Sequence, residues 1–179
     1  MSITHSRVPD ASATDASAAD VTQIVTFRLG SDLFGAAISG VERVLRYAAP
    51  TPVPNVPDWI AGVIEYQRRV IPVVDFRARF DLDEHPVTGE TRVLVFNVDG
   101  HWVAGVVDAV LDVAALGSAA LAPPPPLFRG LAGEFIYGIA RRDGRLVIVL
   151  DIDRLLSATE RISLSQAIVE AEVEVAGIA

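Results

Sequence analysis

The chain has 179 residues, 51% hydrophobic and 21% charged, a composition that supports a globular domain with a real core rather than a disordered chain. It contains no cysteine, which excludes disulfides, thiolate metal sites and cysteine nucleophiles. Its net charge of −8 lies mostly in the two ends and leaves no basic stripe of the kind that neutralises nucleic-acid phosphates.

Residues 1 to 20, rich in Ala, Ser, Thr and Asp, lack the continuous apolar run of a secretion signal or membrane anchor and are predicted to form a disordered tail. QIVTFRL then reads as a strand, and the turn signal GSD followed by a further apolar run predicts a hairpin. The short segment SGVERVLR leads into the proline-rich APTPVPNVP. A second hairpin, GVIEY to VIPVVD across QRR, follows; Pro72 lacks the N–H a ladder needs, so it demands an edge or a bulge. After Asp75 the pattern turns helical in FRARF. The same grammar returns with VLVFNV and HWVAGVV across DG, the segment DAVLDVAAL, the run APPPP, and GIARR to LVIVLD across DG, ending at Asp151 and IDRLL. In the last stretch, Ile162, Leu164, Ile168, Val169 and Val173 fall loosely at helical spacing, so residues 158 to 179 are either a helix laid on the domain or a tail. No segment offers eighteen uninterrupted apolar residues for a membrane helix.

This recurrence is an internal repeat. IAGVIEYQRRVIPVVDFRARF (60 to 80) lies over IYGIARRDGRLVIVLDIDRLL (136 to 156) at an offset of 76, which superposes Gly62 on Gly138 and Asp75 on Asp151. IVTFRLGSDLFGAAISGVERV (24 to 44) lies over VLVFNVDGHWVAGVVDAVLDV (93 to 113) at an offset of 69, with Phe27 on Phe96 and Val44 on Val113. The difference between the offsets places an insertion in the segment that holds the four prolines. Many short strands with turn signals between them predict two small β-barrel-like subdomains packed on each other.

Chemistry-bearing candidates are few. Asp75 and Asp151 could form a paired-carboxylate site for a small hydrolase, but each ends a strand where a short helix begins, the place of an N-cap. Asp108 and Asp112 read as turn or surface residues. There is no nucleophile elbow and no phosphate-binding glycine loop, and His5, His85 and His101 have no metal-ligand spacing. The pairs Arg68-Arg69 and Arg141-Arg142 fall in the closing hairpins, where a solvated tip is the simplest reading and recognition of an acidic partner the sharper one. The run Pro123 to Pro126 reads as a stiff spacer between the units. No cofactor is implied.

With these pieces in order, residues 21 to 157 resemble the CheW-like coupling proteins of bacterial chemotaxis. The resemblance is carried by FRLGSDLFGAAI, VERV, TPVPNVPDWIAGVI, RVIPVVDFRARF, VFNVDGHWVAGVVDAVLDV and FIYGIARRDGRLVIVLDIDRLL. It implies a mainly β fold of two pseudo-repeated, intertwined five-stranded SH3-like barrels packed around a shared core, with short helices. It also implies a non-enzymatic, cytoplasmic adaptor without metal or cofactor, recruited to membrane receptor arrays, whose partners are the regulatory domain of a histidine kinase and the cytoplasmic tips of methyl-accepting chemoreceptors. Receptor helices would pack in an apolar groove at the subdomain junction, and kinase and adaptor would meet end to end. On this resemblance Ile38, Val41, Val44, Val106 and Val110 are candidate apolar contacts. The chain departs from the family at two presumed contacts. The usual Asn-Leu-Arg-Gly of the first closing hairpin is Glu65, Tyr66, Gln67 and Arg68 here, and the acidic residue before the second valine of the short segment is Arg43, preceded by Glu42. A divergent adaptor serving another kinase pathway, such as surface motility or development, is the nearest alternative.

Overall fold

The computed structural model describes residues 21–126 and 131–155, together with the isolated positions 169, 176 and 177. The predicted N-terminal tail and nearly all of the C-terminal segment 158–179 lie outside the described residues. Eleven strands are seen: β1 (Val21–Leu29), β2 (Asp32–Ala37), β3 (Val41–Arg46), β4 (Ile60–Tyr66), β5 (Arg69–Asp75), β6 (Arg92–Val98), β7 (His101–Val107), β8 (Ala109–Gly117), β9 (Leu121–Ala122), β10 (Ile136–Arg142) and β11 (Arg145–Leu150). Two single-turn helices, α1 (Phe76–Arg79) and α2 (Ile152–Leu155), follow β5 and β11.

The strands form two sheets, ordered β8-β1-β2-β11-β10-β9 and β3-β6-β7-β5-β4. Under the sequence repeat, β1 and β2 correspond to β6 and β7, β3 to β8, and β4 and β5 to β10 and β11. The two orders are then the same order, with each sheet taking its opening hairpin from the other copy. The copies are therefore interlocked: β2 joins β11 and β7 joins β5, both in parallel, across the repeat boundary. Even the bulges recur. An extra residue sits at Glu42 in β3 and at its mate Leu111 in β8, and again at Ala61 and its mate Tyr137. The sixth strand, β9, pairs with β10 where the isolated Thr51–Val63 bridge stands in the other sheet.

Period-2 alternation lets each sheet bury one face against itself and the other against its neighbour. Ile24, Ala114, Leu116, Ala140, Val147 and Val149 fill one barrel, and Tyr66, Ile71, Val73, Val93, Val95 and Ala104 the other. Between them lies a third cluster to which both sheets contribute, with Phe27, Phe76 and Phe96 fully buried at its centre. Their rings are 6.0 to 6.2 Å apart, and burying each is worth about 2–3 kcal/mol. This shared core makes the two barrels one unit.

Pro72 sits in an interior strand, not an edge, yet its missing N–H costs no bond. Val63, opposite Pro72, turns its N–H and C=O toward Thr51, both at 2.9 Å. The pair is thus a non-hydrogen-bonded one, and the proline nitrogen points to the β7 side, where the ladder begins only at Val73. The proline run corrects a second expectation. Pro123 to Pro126 connect β9 to the 3-10 turn Leu131–Phe135 and so to β10, within one sheet, and do not space the two units.

Candidate partner-binding surfaces

The short segment of the first copy is an edge strand. Ile38 opens the 3-10 turn Ile38–Gly40 and is 37% exposed, and Val44 on β3 is 42% exposed. The bulge at Glu42 breaks the alternation, so Glu42, Arg43 and Val44 all face solvent. Val41 instead turns inward onto the shared core, as does its repeat mate Val110 on β8. Val106, on interior strand β7, packs half-buried against the five-stranded barrel's own core. Of the five apolar candidates, two are therefore presented to solvent and three are chiefly packing residues.

Glu65, Gln67 and Arg68 lie at the opposite end of the strand order, on the β4–β5 hairpin, and all three are exposed. Tyr66 and Arg69 pair across a two-residue turn. Gln67 and Arg68 adopt φ of 48° and 63°, the type I′ geometry that right-twisted strands require. For residues with a Cβ this left-handed backbone costs about 1–2 kcal/mol each. The tip is braced from below: Tyr66 and Trp102 meet edge to face at 5.1 Å, the Arg69 guanidinium lies 5.1 Å above Trp102, and Gln67 Nε2 donates to the Tyr66 hydroxyl at 3.0 Å. The Arg68 side chain makes no such contact among the described residues. The predicted candidates thus fall in three places and not in one patch.

A third surface was visible in the sequence only as a general groove. Ala37, Ser39 and Gly40, with Asn97 at the end of β6, meet Ile24 of β1, Leu116 and Gly117 of β8, Leu121 of β9, Tyr137 of β10 and the start of α2 in a cleft of about 320 Å³. The cleft lies where the first copy's connecting turn leaves one sheet for the other. Its walls are largely apolar and include the two carboxylates Asp151 and Asp153. Leu111, Val113, Tyr137 and Leu146 are each at least half exposed and were not among the predicted candidates. The repeat held the signal for two of them, because Leu111 and Val113 are the mates of Glu42 and Val44.

The carboxylates are structural. Asp75 caps α1, accepting from the backbone N–H of Arg77 at 2.9 Å and of Ala78 at 3.3 Å. Asp151 accepts from Arg154 N–H at 3.2 Å in the same position of α2. Asp108 is more than a turn residue. It receives the Arg77 guanidinium, with Nε at 2.8 Å, and Gly30 N–H at 2.7 Å, which ties the β7–β8 corner to α1 and to the β1–β2 turn. Burial opposes its ionisation, but the Arg77 and Gly30 hydrogen bonds and the Arg77 charge together hold its carboxyl below the usual range. Asp112 binds Arg142 bidentately at 2.7 and 2.8 Å, and it also accepts from the Thr26 hydroxyl. Those hydrogen bonds, Arg142 first and Thr26 second, lower its pKa. Arg142 is therefore a pin between β10 and β8 and not a solvated tip. No cluster of three His, Cys, Asp or Glu is placed to hold a metal among the described residues.

Comparison with known proteins agrees with this geometry. A family model described as the CheW-like domain matches residues 23–160. The chain is 30% identical over 142 residues to the chemotaxis protein CheW of Treponema pallidum, covering 77% of this chain and 84% of that one. It is 32% identical over 138 residues to the chemotaxis protein CheW of Klebsiella aerogenes (77% and 83% covered) and 33% identical over 138 residues to protein FrzA of Myxococcus xanthus (75% and 85%). Among solved structures, the scaffolding protein TtCheW of Thermoanaerobacter tengcongensis superposes with a TM-score of 0.71 at 28% identity, covering 78% of this chain and 90% of that chain.

Proposed function

The chain belongs to the CheW-like domain family, a family of adaptors and scaffolds, and on that premise we propose that it joins chemoreceptors to a histidine kinase without catalysing a reaction. The observation that carries this reading is the apolar cleft lined by the six-stranded sheet, beside the turn that crosses to the other sheet, whose walls come from both copies of the repeat. An amphipathic receptor helix buries its apolar face in such a groove, and the exposed Ile38 on the adjoining turn is proposed to meet the same helix. The kinase's regulatory domain is proposed to engage the edge-strand residues Glu42, Arg43 and Val44 and the hairpin residues Glu65, Gln67 and Arg68, all exposed and, apart from Val44, charged or polar. Asp75 and Asp151 support a non-catalytic role because their carboxylates cap α1 and α2.

No helix among the described residues is long and apolar enough to cross a membrane. A cytoplasmic adaptor drawn to receptor arrays through the cleft is consistent with that. The test is co-sedimentation of the purified chain with cytoplasmic receptor fragments and the histidine kinase of its own organism. A ternary complex is expected, and Ile38→Asp should remove receptor from it. Binding of neither partner would refute the coupling role. The charges at Arg43 and Arg68, which differ from the family pattern, would then favour an adaptor for another kinase pathway.

A further inference from the structure

We infer that Arg68 is a specificity residue that reads a carboxylate on the kinase's regulatory domain, and that the hairpin is built to present it. This rests on the adaptor reading above. Among the described residues four tight hairpins connect the paired strands, and three carry glycine at the turn: Gly30, Gly100 and Gly144, at φ of 62°, 80° and 76°. Gly144 is the repeat mate of Arg68 itself. Among the described residues, only the β4–β5 turn places two residues with a Cβ, Gln67 and Arg68, in the left-handed region. The chain thus has the relaxed solution in the equivalent turn and does not use it here. The hairpin requires the left-handed backbone at position 68 but nothing within the described fold calls for an arginine there, because Arg68 is exposed and makes no hydrogen bond or ion pair. Strain kept at an exposed position without an internal contact points to an external one.

The surroundings favour a fixed contact over a floating charge. Trp102 is packed by both Tyr66 and Arg69, and Gln67 is held by the Tyr66 hydroxyl, so the flanking polar and aromatic groups are engaged. Arg68 remains as the guanidinium at the turn, and its planar fork suits a bidentate carboxylate. The partner's contacting element should therefore carry Asp or Glu.

The experiment compares wild type, Arg68→Gly and Arg68→Lys in thermal unfolding and in binding to the purified kinase regulatory domain and to receptor fragments, at low and high salt. Arg68→Gly should melt at a higher temperature than wild type yet bind the kinase regulatory domain about tenfold more weakly, with a shallower salt dependence. Arg68→Lys, which keeps the charge and the backbone conformation, should recover part of that affinity. If Arg68→Gly is more stable and binds the kinase regulatory domain as wild type does, Arg68 is a tolerated turn residue and the inference fails while the adaptor reading stands. If wild type binds neither partner, both fall.

Discussion

Trp59 and Phe135, which are repeat mates 76 positions apart, both lie against the Arg79 guanidinium, at 4.4 and 4.6 Å from their ring centroids. Trp59 leads into β4 and Phe135 into β10, so this one cation bridges the two sheets. Arg79 also donates to the Leu155 carbonyl at 3.3 Å, and Leu155 is its own repeat mate. The guanidinium thus sits where the two copies face each other, a place that can hold only one such group. Arg79→Met, which keeps the stem but removes the charged plane, should cost about 2 kcal/mol in urea unfolding, since two partly desolvated cation–π contacts are lost. A cost under a few tenths would mean that the rings use only the aliphatic stem.

How much of this was legible in the sequence depends on the kind of information. Asp75 was readable as a cap because it stands between a period-2 run and a helical one, and the structure gives it two backbone donors. The hairpins were readable from Asp99-Gly100 and Asp143-Gly144. The interlocking came only with the family resemblance and not from the pattern, because β1 and β6 carry the same alternation and would satisfy either sheet; a hydrophobic pattern fixes which face is buried but not which strand lies alongside. The bulge at Glu42 was hidden for a similar reason. It turns three successive residues outward, so apolar character, on which the resemblance offered Val41, Val106 and Val110 as contacts, did not distinguish packing from presentation. Arg68 at positive φ had its signal only in the resemblance, where it takes the place of a glycine, since arginine is not itself a turn former.

The cap at Asp75 gives a sharp comparison of variants. Asp75→Ala removes both side-chain acceptors of α1 and should cost about 1 kcal/mol, a fall of roughly 2–4 °C in melting temperature for a domain of this size. Asp75→Asn keeps an acceptor of equal capping strength and should change stability by only a few tenths. Equal losses for both variants would show that the negative charge, not the hydrogen bonds, is what matters at this position.

Barrel closure turns on a single position. Gly62 has φ of 141°, and a Cβ built there would fall on the Thr51 carbonyl oxygen. That oxygen accepts from Val63 N–H in the bridge that closes the five-stranded sheet. Its repeat mate Gly138 is crowded in the same way, by Leu121 and the Ala122 carbonyl at 2.8 and 2.9 Å. Gly62→Ala should therefore cost about 2–4 kcal/mol, combining backbone strain with loss of the bridge. Amide exchange would localise the effect, with faster exchange at Thr51 and Val63. Wild-type protection there would show that the bridge does not depend on the close approach.

Asp108 makes stability depend on pH with a defined sign. Its folded-state pKa lies below the unfolded value of about 3.9. Its contribution is therefore complete above about pH 4 and is lost as pH falls through the folded-state value, where the carboxyl takes up a proton and the Arg77 ion pair breaks. Asp108 and Arg77 are only 16% and 12% exposed, so solvent screens the pair weakly. Asp108→Asn should cost about 2 kcal/mol at pH 7, less than for a fully buried pair because Arg77 keeps its bond to the Asp83 carbonyl. Below pH 4 the two proteins should converge, since wild type loses by protonation what the variant never had. Urea unfolding at pH 7, 4 and 3 measures this, and a constant gap across the three values would show that the pair contributes through packing and not through charge.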